Sequence, residues 1–164
     1  MGPTPIHELP PELASSAWFR AIGEHALRCY PEECCGAIVA RGEAGLVAVP
    51  CRNIQNHLHA ADPAAHRRDA RTAFQIDPAD LMAIDRDPST TALRAIYHSH
   101  TDAGAYFSET DQRQAAPLGE PLLPDVHYLV ISVGVQGLRE TALYTWDDRL
   151  GCYAALPLES LLAK

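Results

Sequence analysis

Apolar residues recur at two different spacings along this chain, and the spacings predict a mixture of helices and strands. From residue 13 to residue 30 the apolar positions follow a helical period, and Ser15 or Ser16 can cap the start of that helix. Residues 36–40 and 46–49 are short apolar runs on either side of a glycine-containing turn. The first part of the chain therefore predicts a helix followed by a β-hairpin.

The middle of the chain alternates between polar and apolar stretches. Residues 57–69 are polar and irregular, which indicates a loop, whereas residues 72–76 form an apolar run typical of a strand. Asp77 and Pro78 predict the start of a helix, because proline is well tolerated at the first helical position. Residues 92–97 are again apolar and predict a strand.

The last third of the chain has the clearest strand pattern. Residues 128–133 and 138–144 predict two strands that flank a glycine-containing turn. Residues 108–116 before them predict a helix, and residues 117–124 predict a loop. The segment 153–162 is amphipathic enough to pack back against the domain.

Length and composition predict one globular domain. The chain has 164 residues, of which 47% are apolar and 21% are charged, an ordinary mixture for a folded protein with its own core. We find no internal repeat, low-complexity tract or linker. The prediction is a proline-rich, extended segment over residues 1–12 and one mixed α/β domain over residues 13–164.

Charge and cysteine content narrow the expected partners and compartment. The 13 basic and 21 acidic residues give a net charge of −8, which argues against non-specific nucleic-acid binding. No apolar run is long enough to span a membrane, and the N-terminus lacks the pattern of a secretory signal. The five cysteines include the adjacent pair Cys34 and Cys35 and form no C-x-x-C motif, so we expect reduced thiols and a cytoplasmic protein. We expect no nucleic-acid or membrane partner and a monomer or a homodimer.

Candidate metal ligands cluster where the strand over residues 92–97 ends. His98 and His100 are two residues apart, so in a strand they project from the same face and can converge on one Zn²⁺. Asp111 would supply a third ligand from the first turn of the following helix. Three protein ligands leave the fourth position open, which is the arrangement of catalytic rather than structural zinc sites.

Each part of this pattern also has a plain structural interpretation. Ser108 and Asp111 have the spacing of a capping box at the start of a helix, and a His-x-His pair can simply be a polar strand end. Capping and metal binding can coexist on Asp111.

The combined motif resembles the signature of the JAMM (MPN-plus, Mov34/PAD-1-like) metalloproteases of the short prokaryotic type. The chain reads His98-x-His100-x7-Ser108-x2-Asp111, with Glu33 upstream in the segment Pro-Glu-Glu-Cys-Cys-Gly. Family members often have proline after the second histidine and before the serine, where this chain has Thr101 and Phe107. Neither position supplies a ligand, so these departures concern the shape of the loop.

The resemblance implies a cytidine-deaminase-like fold, in which helices flank a curved mixed sheet. It also implies one Zn²⁺ per chain, held by His98, His100 and Asp111. Zinc lowers the pKa of water from about 15.7 to about 7 and so generates a nucleophile at neutral pH. Glu33 would accept the proton of that water and pass it to the leaving amine, and Ser108 would donate to the developing oxyanion.

The implied function is hydrolysis of the amide bond at the C-terminus of a ubiquitin-like or sulfur-carrier protein by a zinc-dependent (iso)peptidase. Residues 57–71 and 112–127 would form the walls of the substrate groove. Tyr106 and Phe107 would contact the substrate or pack within their loop. Carrier maturation, release of an amino acid from a carrier, and a ubiquitin-like conjugation system all remain open.

Other interpretations of the same residues are weaker. His57 and His59 form a second His-x-His pair, but no strand-like run precedes them. A zinc deaminase would have His-x-Glu and Pro-Cys-x-x-Cys motifs, which the chain lacks. Cys34 or Cys35 could act as a nucleophile, although paired cysteines beside glycine usually pack as small apolar residues. The remaining alternative is a catalytically inactive MPN scaffold that only binds partners.

Overall fold

The computed structural model describes residues 2–162. The α-helices are α1 (Pro11–Ala14), α2 (Ala17–Cys29), α3 (Gln55–Ala61), α4 (Pro78–Arg86) and α5 (Glu109–Ala115). The strands are β1 (Thr4–Pro5), β2 (Cys35–Ala40), β3 (Leu46–Cys51), β4 (Ala92–Thr101), β5 (His127–Gly134), β6 (Gly137–Asp147) and β7 (Cys152–Leu156). Short 3₁₀ turns cover Ile6–Glu8, Gly42–Ala44 and Leu158–Leu162.

The seven strands form one mixed sheet in the order β1-β6-β5-β4-β2-β3, and β7 also pairs with β6. The pair β4 and β5 is parallel, whereas the other described strand pairs are antiparallel. A parallel pair cannot be joined by a tight turn, so the chain must cross over between β4 and β5. Residues 102–126 make this crossover and include α5. The predicted α/β class, a single mixed sheet flanked by helices, is confirmed.

Side chains alternate along β4 and divide the core into two layers. Ala95 and Tyr97 point to the face covered by α2. Ile96 points to the opposite face, where Ile84 of α4 and Ala115 of α5 are buried. Because His98 and His100 keep this alternation, they project from the face on which α5 packs.

The N-terminal region differs from its prediction. The helix expected to start at Ser15 or Ser16 is confirmed as α2, but the apolar residue Leu13 belongs to a separate short helix, α1. Ser16 caps α2, and its Oγ accepts a hydrogen bond from the backbone N–H of Phe19 at 3.4 Å. Leu9, before the predicted boundary at residue 12, and Leu13, after it, are buried in the same core. The boundary itself stays a prediction.

Two predictions in the middle of the chain are wrong. The expected loop over residues 57–69 begins inside helix α3, which lacks an apolar face and is held by polar contacts instead. The apolar run 72–76 is not a strand; its pairing is limited to an isolated bridge between Ile76 and Asn53. Phe74 and Ile76 are buried against the sheet as an irregular segment, and burial alone explains their apolar character.

The prediction of an extended segment over residues 1–12 is confirmed only in part, because Ile6–Glu8 is a 3₁₀ turn and α1 begins at Pro11; residue 1 lies outside the described residues. The remaining predictions of elements are confirmed within a few residues. Asp77 caps α4 by accepting a hydrogen bond from the backbone N–H of Ala79, and the strand expected at 92–97 continues to Thr101. The C-terminal segment packs back as expected, with Leu158 and Leu161 buried. All five cysteines are free thiols. Within residues 2–162, no helix has the length and apolar character needed to cross a membrane.

Candidate metal centre

Two imidazoles lie side by side at the carboxyl end of β4. His98 is fully buried and His100 is 5% exposed, and their Nε2 atoms are 3.3 Å apart. Nδ1 of His100 donates a hydrogen bond to the carbonyl of Gly104 at 2.8 Å, so Nε2 of this ring is unprotonated in the neutral form and is available to bind a cation. The ring of Phe74 stacks on His98 with a centroid distance of 4.3 Å and fixes its orientation. Both rings therefore present Nε2 to the same point.

Asp111 reaches this point from the first turn of α5. Ser108 and Asp111 form a complete capping box, in which Ser108 Oγ accepts from the backbone N–H of Asp111 and Asp111 Oδ2 accepts from the backbone N–H of Ser108. Ser108 Oγ also donates to Asp111 Oδ2 at 2.6 Å. The predicted cap is confirmed, and it holds the carboxylate of Asp111 toward the two histidines.

The three side chains have the spacing that a tetrahedral cation requires. Asp111 Oδ1 lies 3.4 Å from His98 Nε2, and Asp111 Oδ2 lies 3.4 Å from His100 Nε2. Two ligands at about 2.0–2.1 Å from a tetrahedral zinc ion are about 3.4 Å apart. All three residues are buried and together form a possible metal site. The nitrogen and oxygen donors, their burial and their spacing therefore fit one zinc ion.

Burial and neighbouring groups shift the pKa values of this cluster in opposite directions. Burial favours a neutral carboxyl at Asp111, but the imidazoles of His98 and His100 and the Ser108 hydroxyl hold the pKa of Asp111 well below its usual range. Burial lowers the pKa of His98, so that its ring is neutral. A carboxylate facing a neutral imidazole is the state in which both can bind a cation.

Glu33 lies in the segment between α2 and β2, and contacts of its backbone place it beside the histidines. Its backbone N–H donates to the carbonyl of Ala70 at 2.7 Å, and its own carbonyl accepts from Nδ2 of Asn53 at 3.0 Å. The residue is only 7% exposed, and burial, partly opposed by His100, raises the pKa of its carboxyl to about 8. Glu33 is therefore buried, as we expect of a residue that accepts and returns a proton.

Two cavities adjoin the cluster and share Asp111 and Gln114 as a common wall. One, of about 110 Å³, is polar and contains Glu33, His100 and Ser108 in its lining. The other, of about 230 Å³, has mainly apolar walls: Phe74, Ile76, Leu81, Ile96, Ala115, Leu122, Leu123 and Tyr128. Parts of both segments expected to wall the groove, 57–71 and 112–127, line one or the other cavity.

Several candidate residues lie away from the cluster. His59, on α3, bonds through Nδ1 to the carbonyl of His66. Within residues 2–162, the ligand atoms of His98, His100 and Asp111 form the only grouping close enough to hold a metal ion. Cys34 and Cys35 are buried free thiols outside that grouping. Ser99 points to the opposite face of β4, where its Oγ accepts from the backbone N–H of Cys34 at 2.8 Å.

The two aromatic residues of the loop after β4 have different surroundings. Tyr106 is 52% exposed and lines the polar cavity. Phe107 packs against the aromatic rings of Tyr128, Tyr144 and Tyr153. Only Tyr106 is available to a substrate.

Some residues that organise the site carry no signal in the sequence. Asn53 connects the carbonyls of Glu33 and Ala73 through its amide nitrogen. Glu140, on β6, accepts from the backbone N–H of Ala105 at 2.8 Å and so fixes the loop that follows the histidines. Both are single polar residues whose partners are distant in sequence, and no spacing rule could have identified them.

Fold and cluster together define a small α/β domain with a three-ligand metal motif at the end of its parallel strand pair. A family profile described as prokaryotic homologues of the JAB domain matches residues 15–146. The chain belongs to this family, and the expected resemblance is confirmed.

Parts of the chain are similar in sequence to two other proteins. The chain is 36% identical over 94 residues to tail tip assembly protein K of Escherichia phage N15, across 57% of this chain and 32% of that protein. It is 30% identical over 114 residues to the CysO-cysteine peptidase of Mycobacterium tuberculosis (strain ATCC 25618 / H37Rv), across 68% of this chain and 66% of that protein. The chain thus spans about a third of the phage protein and 66% of the peptidase.

Two solution structures share the fold. A protein from Desulfitobacterium hafniense superposes with a TM-score of 0.57 at 19% identity, covering 84% of each chain. A protein from Salinibacter ruber superposes with a TM-score of 0.50 at 15% identity, covering 84% of this chain and 82% of that one. At these identities the likeness concerns the fold alone.

Proposed function

We propose that the protein is a zinc-dependent (iso)peptidase that hydrolyses the amide bond at the C-terminus of a ubiquitin-like or sulfur-carrier protein. The observation that carries this proposal is the buried triad of His98, His100 and Asp111, whose ligand atoms lie 3.3–3.4 Å apart beside the buried carboxyl of Glu33. Membership of the JAB family and similarity to a CysO-cysteine peptidase support the same reaction class. The five free thiols support a cytoplasmic location.

His98, His100 and Asp111 would hold the zinc ion, and Glu33 and Ser108 would act on the reactants. When bound, zinc supplies Lewis acidity that activates water and polarises the substrate carbonyl. Glu33 takes a proton from the attacking water and gives it to the leaving nitrogen, which its raised pKa favours. The carbon–nitrogen bond breaks, and the water's oxygen becomes part of the new carboxylate. Ser108 would donate to the carbonyl oxygen only by releasing Asp111, to which its hydroxyl donates.

The shape of the site supports an extended chain end as the substrate. The apolar cavity beside Asp111 and Gln114 is separate from the polar cavity that contains Glu33. An extended tail can place apolar side chains in the apolar cavity and its scissile amide beside the polar cavity. A folded surface could not enter either cavity.

Replacement of Glu33 tests the proposal. Glu33→Gln should lower kcat by about 10²–10⁴-fold, because loss of the proton acceptor removes general acid–base catalysis, while zinc content stays near one ion per chain. The measurements are intact-mass analysis of a ubiquitin-like substrate extended at its C-terminus and metal analysis of the purified protein. The matched control is Glu32→Gln, an exposed neighbour whose carboxylate only accepts from Asn56.

The inactive-scaffold alternative predicts a different result. A scaffold would contain no zinc after purification, and addition of zinc would produce no cleavage by the unaltered protein. Cleavage that survives either chelation or Glu33→Gln would also rule out the proposed mechanism.

A further inference from the structure

Two arginines, Arg68 and Arg71, line the polar cavity that also contains Glu33. His100, Ser108, Asp111 and Thr72 belong to the same lining. Among the described residues that line the cavity, these two carry the only permanent positive charges. The proposed mechanism assigns them no role.

The backbone that carries both arginines is fixed on several sides. The carbonyl of Arg68 accepts from Nε2 of Gln55 at 2.7 Å. The carbonyl of Arg71 accepts from Oγ1 of Thr101, at the end of β4, also at 2.7 Å. Between them, the carbonyl of Ala70 accepts from the backbone N–H of Glu33. The arginines are therefore held in a defined position relative to both Glu33 and the histidine strand.

The two guanidinium groups are not used in ion pairs of the fold. Neither Arg68 nor Arg71 takes part in the ion pairs found among residues 2–162, such as those of Arg41, Arg52 and Arg113. Arg68 donates from Nη1 to the carbonyl of Thr72 at 3.4 Å, which leaves other N–H groups of the side chain free. Both residues are exposed on the side of the cavity that opens to solvent.

The position of Glu33 determines which part of the substrate faces the arginines. Glu33 returns its proton to the leaving nitrogen, so the leaving group must lie in the cavity that contains Glu33. Arg68 is close enough for its charge to act on the carboxyl of Glu33. A guanidinium matches a carboxylate in charge and geometry, and the pair forms charge-assisted hydrogen bonds.

We propose that Arg68 and Arg71 bind the free α-carboxylate of the leaving group, and that these two side chains therefore select a C-terminal amino acid over a lysine side chain as the group released. This inference rests on the proposed function and narrows its substrate class. A lysine side chain of a folded protein would carry no carboxylate into this cavity. The reaction is simple hydrolysis: water supplies the hydroxyl of the new carrier carboxyl group and the proton of the released amine.

A pair of peptides tests the proposal directly. Both end in Gly-Gly-Ala, one as the free acid and the other as the C-terminal amide, and both are incubated with the zinc-loaded protein. We expect kcat/KM at least about 10-fold higher for the acid, mainly through a lower KM, since charge-assisted hydrogen bonds contribute about that much discrimination. Arg68→Ala and Arg71→Ala should each lower cleavage of the acid about 10-fold and leave the amide unchanged.

Arg67→Ala is the matched control. Arg67 is an exposed arginine next to Arg68 that is absent from the cavity lining, so its loss changes the net charge equally but should preserve the preference for the acid. Thermal melting of all three variants checks folding. Equal cleavage of acid and amide by the unaltered protein would overturn the proposal. Retention of the acid preference by the Arg68→Ala/Arg71→Ala double variant would overturn it too.

Failure of the proposed function gives a different outcome. If the zinc-loaded protein cleaves neither peptide, peptidase activity on such tails is refuted, and fluorescence anisotropy with Glu33→Gln protein then decides the inference. Tighter binding of the labelled acid than of the amide, lost in the double arginine variant, would support it. Equal binding of both would overturn it. A double variant that impairs only an intact ubiquitin-like carrier would show that the arginines contact the carrier surface instead, which also overturns the proposal.

Discussion

Ser108 and Asp111 take part in helix capping and in the metal cluster at the same time. Asp111 accepts from both the backbone N–H and the hydroxyl of Ser108 while it faces His98 and His100. The capping box fixes the rotamer of Asp111, so less side-chain freedom remains to be lost on metal binding. Two residues that could be dismissed as a helix cap thus prepare the third ligand.

Replacement of Ser108 should separate the two roles. Ser108→Ala should lower the free energy of unfolding by about 1 kcal/mol through loss of the cap. If Ser108 also donates to the oxyanion, kcat should fall by about 10²–10³-fold. Urea unfolding and steady-state kinetics measure the two effects.

Ser16→Ala provides the comparison, because Ser16 caps α2 in the same way without lining either cavity beside the cluster. It should reduce stability and leave kcat unchanged. A Ser108→Ala protein that loses stability but keeps its turnover would limit Ser108 to capping.

At the scale of single residues, the sequence predicts side chains that lie close together along the chain. It misses side chains whose position depends on contacts with residues far away in the sequence. His98 and His100 share a strand face, and Ser108 and Asp111 share a helical turn, so their relation follows from backbone geometry. Glu33 was assigned by resemblance. Arg68 and Arg71 reach the cavity only because Gln55 and Thr101 bind the backbone that carries them, and no pattern in the sequence encodes those contacts.

Strand β2 approaches β4 closely at one glycine. Gly36 pairs with Tyr97, and a Cβ at position 36 would overlap the Tyr97 ring. The ring cannot move away easily, because it is fully buried and its hydroxyl is bonded to Nδ1 of His25 at 2.8 Å. Glycine at position 36 therefore leaves room for the Tyr97 ring of the strand that carries the histidines.

Gly36→Ala should lower the free energy of unfolding by about 1–3 kcal/mol, as overpacking in a dense core does. Chemical denaturation of the single variants Gly36→Ala and Tyr97→Leu and of the double variant measures the coupling. The double variant should lose less stability than the sum of the single losses, because Tyr97→Leu removes the ring that clashes. If the stability losses of the two single variants were strictly additive, contact between position 36 and the Tyr97 ring would not contribute to the destabilisation.

Elements with a continuous apolar face were predicted well, and elements held by polar contacts were not. The strands β4, β5 and β6 are buried runs, and α4 has a proline and a capping aspartate at its start. Helix α3 is largely exposed and depends on Asn53, whose Oδ1 accepts from the backbone N–H of Gln55. The error at residues 72–76 has the opposite cause, because an irregular segment buried beside a metal site is as apolar as a strand.

For the molecule as a whole, the buried histidine His25 of α2 links stability to pH. Burial, together with the charge of Arg28, lowers the pKa of His25 below its ordinary value of 6.5. The unfolded chain takes up this proton near pH 6.5, whereas the folded protein resists it until the pH is lower. The contribution of neutral, buried His25 to the free energy of unfolding is therefore complete above pH 6.5, and it is lost as the pH falls below that value.

We expect the urea midpoint of the metal-free protein to fall between pH 7.5 and pH 5.5, and to fall less in His25→Gln. His7→Gln is the control, since the His7 side chain is 81% exposed and its replacement should leave the pH dependence unchanged. Identical slopes for the unaltered protein and His25→Gln would mean that other groups produce the acid sensitivity.

Global topology was predictable only through resemblance. Period and propensity identify most strands, but they do not say that β1 and β7 both pair with β6 or that β4 and β5 run parallel. Such pairings join residues far apart in sequence, and the energy that selects them comes from the assembled core. The parallel pair is nevertheless the feature that brings Asp111 to the histidines.

That parallel pair has an evolutionary consequence. Two parallel neighbours oblige the chain to travel back along the sheet, so any protein with this strand order must contain a connecting segment at residues 102–126. The third ligand lies early in this segment, where α5 is anchored, whereas Leu122 and Leu123 lie late in it and line the apolar cavity. For the proposed peptidase, insertions after α5 would therefore alter which tails are accepted while the proposed ligands stay in place, and substrate range would diversify independently of the chemistry.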